Sequence, residues 1–330
     1  MRTTRSRGAW MGALAAVATF VLSACGGGSI SDETKANQEA AGEAGGECGD
    51  LNVAVNPWVG YEASAYVVGT VAEQELGCTV NYKEIKEDVA WQGFGSGEID
   101  VIIEDWGHPD LEKKFFEGAG DGTAMDFGPQ GNVGIIGWFV PPWLAEAHPD
   151  ILDSKNLNKY AKEFATSESG GQGQFLGADP SYVQFDEAIV ENLDLDFKVV
   201  FSGSEAASIE AFRKAEKNKE WVIGYWYEPQ YFNAEVAMKR VALPPYEEGC
   251  QDDPQTVACD YAETELKKIV STGWSESDSS AVDLVKNFTW TNDDQNVVAA
   301  YISTDGMSPE DAAAKWVEDN PDKVEAWLPQ

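Results

Sequence analysis

The chain is short of positive charge. Its 330 residues hold 23 Lys plus Arg against 57 Asp plus Glu, a formal net charge of -34. Such a surface repels nucleic-acid phosphates and anionic membranes, so neither is an expected partner. Histidine is nearly absent: His108 and His148 are the two in the chain. With five cysteines and no C-x-x-C, no metal site and no metal cofactor is expected. The chain also lacks G-x-x-x-x-G-K-[ST], H-E-x-x-H and G-x-S-x-G, which removes the usual phosphate-loop, zinc-hydrolase and nucleophile-elbow signatures. Beyond the N-terminus there is no long apolar run, so no membrane span is expected.

The N-terminus supplies the one such run. Arg2, Arg5 and Arg7 precede "AWMGALAAVATFVL" (9–22), too short for a span and suited to a signal peptide. It ends in Leu22-Ser23-Ala24-Cys25, similar to a bacterial lipobox. The expectation is cleavage after residue 24 and lipidation of Cys25, leaving the protein on the membrane through its lipid alone. Residues 25–47 are almost free of large apolar side chains and read as a flexible tether. Four cysteines remain, and export permits disulfides. Cys250 and Cys259 bracket a short polar loop. Cys48 and Cys78 each precede a strand-like run, so Cys48–Cys78 and Cys250–Cys259 are the expected bridges.

What is abundant is aromatic: 12 Trp, 11 Tyr and 14 Phe. From Cys48 onward the chain alternates strand-like and helix-like segments. "LNVAV", "TVNYKEI" and "IDVIIEDW" read as strands separated by a long and a short helix. "GIIGWFV", "FKVVFSG" and "EWVIGYWYEP" read as further strands. "DYAETELKKIVSTGW" and the segments after it read as helices. This order predicts an α/β protein with a mostly parallel sheet. Ligands in such sheets lie beyond the carboxyl ends of the strands. Polar-aromatic clusters stand there: "NPWVGYE" after the first strand and "DWGHPD" after the third.

The segments "NPWVGYEA", "DVIIEDWGHPD", "GWFVPPWL", "GADPSYV", "GYWYEPQY" and "AAAKWVEDNPDKVEAWL", in that order, resemble the substrate-binding proteins of glycine betaine/proline betaine/choline ABC importers. The resemblance implies a type II periplasmic-binding-protein fold with two α/β lobes around a ligand cleft. One lobe is implied over 48–138 plus 244–330 and the other over 139–243. It further implies an extracytoplasmic, monomeric receptor that delivers a quaternary ammonium osmoprotectant to a permease, without enzymatic activity. A receptor of the same fold for another amine or amino acid is the alternative, and a secreted enzyme the remote one. By position, Trp106 and Trp226 correspond to cage tryptophans and His108 to a contact for a ligand oxygen. Tyr182 stands where relatives place a ring, and Trp58 is a fourth candidate. Strand alternation then leaves Tyr225 and Tyr227 on the face away from Trp226, as packing residues.

Overall fold

The structure, a computed structural model, describes residues 48–118 and 120–330. The signal segment, Cys25 and the tether lie outside the described residues. Among the described residues nine strands form one sheet: β1 (Asp50–Val55), β2 (Thr79–Glu84), β3 (Val101–Asp105), β4 (Ala124–Val140), β5 (Gly173–Gly177), β6 (Phe197–Phe201), β7 (Gly224–Glu228), β8 (Lys239–Val241) and β9 (Glu263–Ser271). Their order is β2-β1-β3-β9-β4-β7-β5-β6, with β8 beside β4.

The order repeats a pattern. In the first half, β1 pairs in parallel with β2 and β3, and β9 runs antiparallel beside β3. In the second half, β5 pairs in parallel with β6 and β7, and β4 runs antiparallel beside β7. The two units share β4, which is 17 residues long. Its first part pairs with β9 and its last residues pair with β7. The fold is α/β with two lobes, as expected, but the sheet is mixed and not mostly parallel, because the long β4 and β9 run antiparallel to their neighbours.

The helices that matter for the site are α1 (Val59–Leu76), α2 (Glu87–Ala90), α3 (Pro109–Phe115) and α4 (Glu205–Asn218). Helix α1 is buried along most of its length, because the sheet lies on one side and C-terminal helices cover the other. It stops at Gly77, whose φ of 68° is the left-handed conformation that a helix C-terminus favours and glycine adopts without a Cβ clash. Helix α4 begins at Ser204, whose side chain accepts from the Ala207 amide at 3.2 Å.

Both expected disulfides are present. Cys48–Cys78 joins the starts of two parallel neighbours, with the Cα atoms 4.9 Å apart. Cys250–Cys259 closes the polar loop at a Cα separation of 6.4 Å.

Two elements differ from the sequence reading. The segment around "ELKKIVS", read as helix, is strand β9 at the centre of the sheet. Glu, Leu and Lys favour helix only weakly, and pairing with β3 and β4 on both sides overrides that preference. Lys268 is thereby buried at 2% exposure, and its ammonium donates to the Lys286 and Phe288 carbonyls at 2.9 and 2.7 Å. Desolvation lowers its pKa to about 8. The second difference is "GQFLG", which reads as loop but forms β5 between β6 and β7.

Far from the cleft, α5 (Pro309–Asp319) and α6 (Pro321–Trp327) stack Trp316 on Trp327, with centroids 5.7 Å apart and planes 6° from parallel. Trp290 and Phe288 complete this buried cluster. Trp316→Ala is expected to lower unfolding stability by about 3–5 kcal/mol through the cavity it leaves, measured by urea denaturation.

Candidate functional site

The carboxyl ends of β1, β3 and β5 point toward the junction of the two halves, and the residues just past them line a narrow cavity, with about 20 Å³ of room for the centre of a water-sized sphere. Trp58 caps the start of α1 and Trp106 follows β3; both come from the first half. Tyr182 follows β5, and Tyr225 and Tyr227 stand on β7; these come from the second. Rings meet across the junction. Trp58 and Tyr182 approach edge-to-face at 5.3 Å, and Trp106 and Tyr227 do so at 5.5 Å. Ile136, Val183 and Glu87 complete the wall.

One buried carboxylate orients the two tryptophans. Glu104 Oε1 accepts from Trp58 Nε1 at 3.0 Å and from Trp106 Nε1 at 2.8 Å. Its Oε2 accepts from Ser64 Oγ at 2.9 Å and Gln295 Nε2 at 2.7 Å. Burial raises the Glu104 pKa, while the bonds from the two indoles and Ser64 act in the opposite direction. Glu104 itself is off the wall, so both indole N–H groups are directed away from the cavity. The Trp106 ring also rests on Gly134 of β4. A Cβ there would meet ring atom Cζ3 at 2.6 Å, so only glycine leaves room for the ring.

A second polar group comes onto the wall through α2. Glu87 is 3% exposed. Its Oε2 faces His108 Nε2 at 3.4 Å, and His108 Nδ1 lies 2.7 Å from Asp105 Oδ1. Oε1 of Glu87 is buried and has no hydrogen-bond partner. Burial raises the Glu87 pKa against the pull of His108. For His108 burial acts downward, but Glu87 and Asp105 outweigh it and raise the pKa. Ligand atoms of Glu87, Asp105 and His108 lie within 4.8 Å of one another. A histidine held protonated between two carboxylates donates from both nitrogens, however, and offers no lone pair to a metal.

A third carboxylate crosses between the halves. Glu205, the first residue of α4, accepts from the Val59 amide at the start of α1 at 2.9 Å. It also accepts from the Tyr227 hydroxyl and from Gln230 Nε2 at 2.6 Å. Tyr182 donates its hydroxyl to the Pro57 carbonyl at 3.1 Å, and Lys86 reaches Asp179 at 3.4 Å. The halves are therefore in contact around the cavity.

Of the residues singled out in the sequence, Trp58, Trp106 and Tyr182 stand on the wall. His108 does not; it lies against Glu87, which takes the place on the wall expected for it. Trp226 requires a correction. It pairs with Gly137, is 1% exposed and packs on Phe212 and Phe232, with Nε1 donating to Asn233 Oδ1 at 2.7 Å. Tyr225 and Tyr227, expected as packing residues, pair with Trp138 and Ile136 and line the cavity. The alternation was read correctly but assigned to the wrong face. The period of two alone does not say which face is which; Phe232 and Asn233, just downstream, supply the pocket that takes the indole.

A search of family models matches residues 49–319 to the substrate-binding domain of ABC-type glycine betaine transport systems. The trimethylamine N-oxide-binding protein of Pelagibacter ubique is 26% identical over 281 residues, covering 82% of this chain and 87% of that protein. Among solved structures, lactococcal OpuAC in a closed form with glycine betaine superposes with a TM-score of 0.67 at 21% identity, covering 85% of this chain and 99% of the other. A choline-binding protein in complex with choline gives 0.68 at 21% identity, covering 85% and 91%. Both structures share this fold.

Buried acids around the junction give stability a definite pH dependence. Desolvation raises Glu87, Glu104 and Glu205, and raises Asp186 to about 6 even though Trp138 and Tyr261 donate to it. Each holds its proton more firmly folded than unfolded, so its contribution is present at low pH and is lost as pH climbs past the unfolded carboxylate range. The raised His108 acts in the same sense: its contribution is present below the ordinary histidine value and is lost as pH rises through the folded one. The ligand-free protein is expected to melt at a higher temperature near pH 5.5 than near pH 8.5, by calorimetry in matched salt.

Proposed function

Because the chain belongs to the family of substrate-binding domains of ABC-type glycine betaine transport systems, we propose that it captures a small quaternary ammonium solute outside the cytoplasm and presents it to the membrane domains of an ABC importer. The carrying observation is one cavity walled by five aromatic rings drawn from both halves of the molecule. A trimethylammonium head has no N–H to donate, so carbonyls and carboxylates alone solvate it poorly. Aromatic faces offer negative potential together with surface that suits methyl groups, at roughly 0.5–2 kcal/mol per ring. A primary amine would need acceptors for three N–H groups, and the wall offers one unpartnered carboxylate oxygen, on Glu87. The ligand class is glycine betaine, proline betaine, choline or trimethylamine N-oxide. Members of this family are substrate-binding receptors, and the chain is proposed to act as one.

Trp58, Trp106, Tyr182, Tyr225 and Tyr227 are the proposed ligand contacts. His108 acts through Glu87, and Trp226 supports β7 from the far face. The proposed lobes run over 48–138 plus 244–330 and over 139–243, and the receptor is proposed to work as a monomer. Lipidation of Cys25 is the proposed attachment. Wild-type protein from membranes should then carry a lipid mass on an N-terminal Cys25, and Cys25→Ala should remain unprocessed; a mature product cut elsewhere with a free Cys25 thiol rejects the anchor.

Titration calorimetry with choline and glycine betaine tests the cavity. Trp106→Ala and Tyr225→Ala are expected to weaken binding of the preferred solute by about 5- to 150-fold, or roughly 1–3 kcal/mol. Folded Trp226→Phe should stay within about threefold of wild type, since its ring is off the wall. Absence of saturable binding by every quaternary amine overturns the reading.

A further inference from the structure

Resting on that reading, we infer that the cavity selects a quaternary ammonium solute carrying a hydroxyl and no carboxylate, a cationic alcohol such as choline, over the zwitterionic betaines, and that Glu87 and Glu205 impose the choice.

A betaine carboxylate needs hydrogen-bond donors at the far end of the cage. Most side-chain donors on this wall are already engaged. Both indole N–H groups go to Glu104, the Tyr182 hydroxyl goes to the Pro57 carbonyl, and the Tyr227 hydroxyl goes to Glu205. No lysine or arginine lines the cavity, and His108 is turned to Glu87 and Asp105. Helix α1 starts at the junction, and a helix N-terminus is a natural berth for a carboxylate. Here the protein fills it. Glu205 comes from the opposite half to accept the Val59 amide, as a ligand carboxylate bridging the halves would.

The unengaged groups point to an alcohol. Glu87 lines the wall, and its Oε1 is a buried acceptor with no partner. The Tyr225 hydroxyl makes no hydrogen bond among the described residues, and Tyr225 lines the same cavity as Glu87. A ligand hydroxyl is both donor and acceptor, so it can donate to Glu87 and accept from Tyr225. A ligand carboxylate in that place would meet an ionised Glu87 as a like charge. An N-oxide oxygen accepts only, and would need Glu87 protonated.

Proton linkage separates these cases. The groups that act on Glu87 are His108, Asp105 and Glu104, with Tyr61, Tyr182 and Tyr225 around it. The tyrosines are all raised and stay neutral, and His108 is raised and stays charged. Ionising Glu87 therefore strengthens the hold on a cationic alcohol and weakens it on a ligand that needs a donor.

The test is titration calorimetry of the purified protein with choline, tetramethylammonium, glycine betaine and trimethylamine N-oxide at about pH 6.5 and pH 8.5. Choline is expected to bind at least about tenfold more tightly than glycine betaine, and its affinity to rise with pH. Glu87→Gln should weaken choline by about tenfold or more and abolish that pH dependence, leaving tetramethylammonium less affected. Glu205→Gln, folded by its melting curve, should narrow the gap by improving glycine betaine. Glycine betaine or the N-oxide binding as tightly as choline overturns this inference alone, as does an unchanged preference in Glu87→Gln. Binding of none of the four removes the ammonium reading as well.

Discussion

The site depends on the carboxylate of Glu104. It is fully buried, and a lone buried charge is severely disfavoured unless its lone pairs are met. Here four donors meet them, and two are the indoles of Trp58 and Trp106. The bonds that make the charge tolerable are thus the bonds that orient the cage. Because an indole has a single N–H, directing it outward leaves carbon surface toward the cavity. An apolar residue at 104 would leave both N–H groups to find other partners, and the two rings would lose their common reference.

Charge placement follows a related logic. Glu104 and Glu205 both stand one layer behind the wall, each hydrogen-bonded to a ring that lines it. Where these groups are ionised, negative charge set behind the rings attracts a cation without presenting it with a strongly hydrated carboxylate. Glu87 is the exception that reaches the wall, and His108 tempers its charge from behind. The net charge of -34 acts at longer range, where it raises the local concentration of any cation in dilute salt.

Much of this was legible in the sequence and some was not, for physical reasons. The alternation of elements, the Gly77 stop of α1 and the cysteine pairs depend on local chemistry, and local chemistry can be read. The clusters "NPWVGYE" and "DWGHPD" stood at strand ends, where the fold makes clefts, and Trp58 and Trp106 lie there. Strand β9 escaped because its residues prefer helix and its place between β3 and β4 is decided by partners more than 100 positions away in the chain. In "GYWYEPQY" a period of two shows that Trp226 and its tyrosine neighbours face opposite ways, but not which face is which. That depends on register against β4, where Trp226 pairs with Gly137 and the tyrosines pair with Trp138 and Ile136. Glu87 and Glu205 were hidden for another reason: among 57 acids, the few that matter are distinguished only by burial.

The clasp between the halves and the wall of the cavity are built from the same side chains. Tyr227 lines the cavity and donates to Glu205, and Glu205 holds the Val59 amide of the other half. Tyr182 lines the cavity and donates to Pro57, one residue before Trp58. A solute lodged between Trp58, Trp106 and these tyrosines therefore touches both sides of the contact that joins the halves. In a separated arrangement it would meet only half of the rings, so binding would favour the joined one.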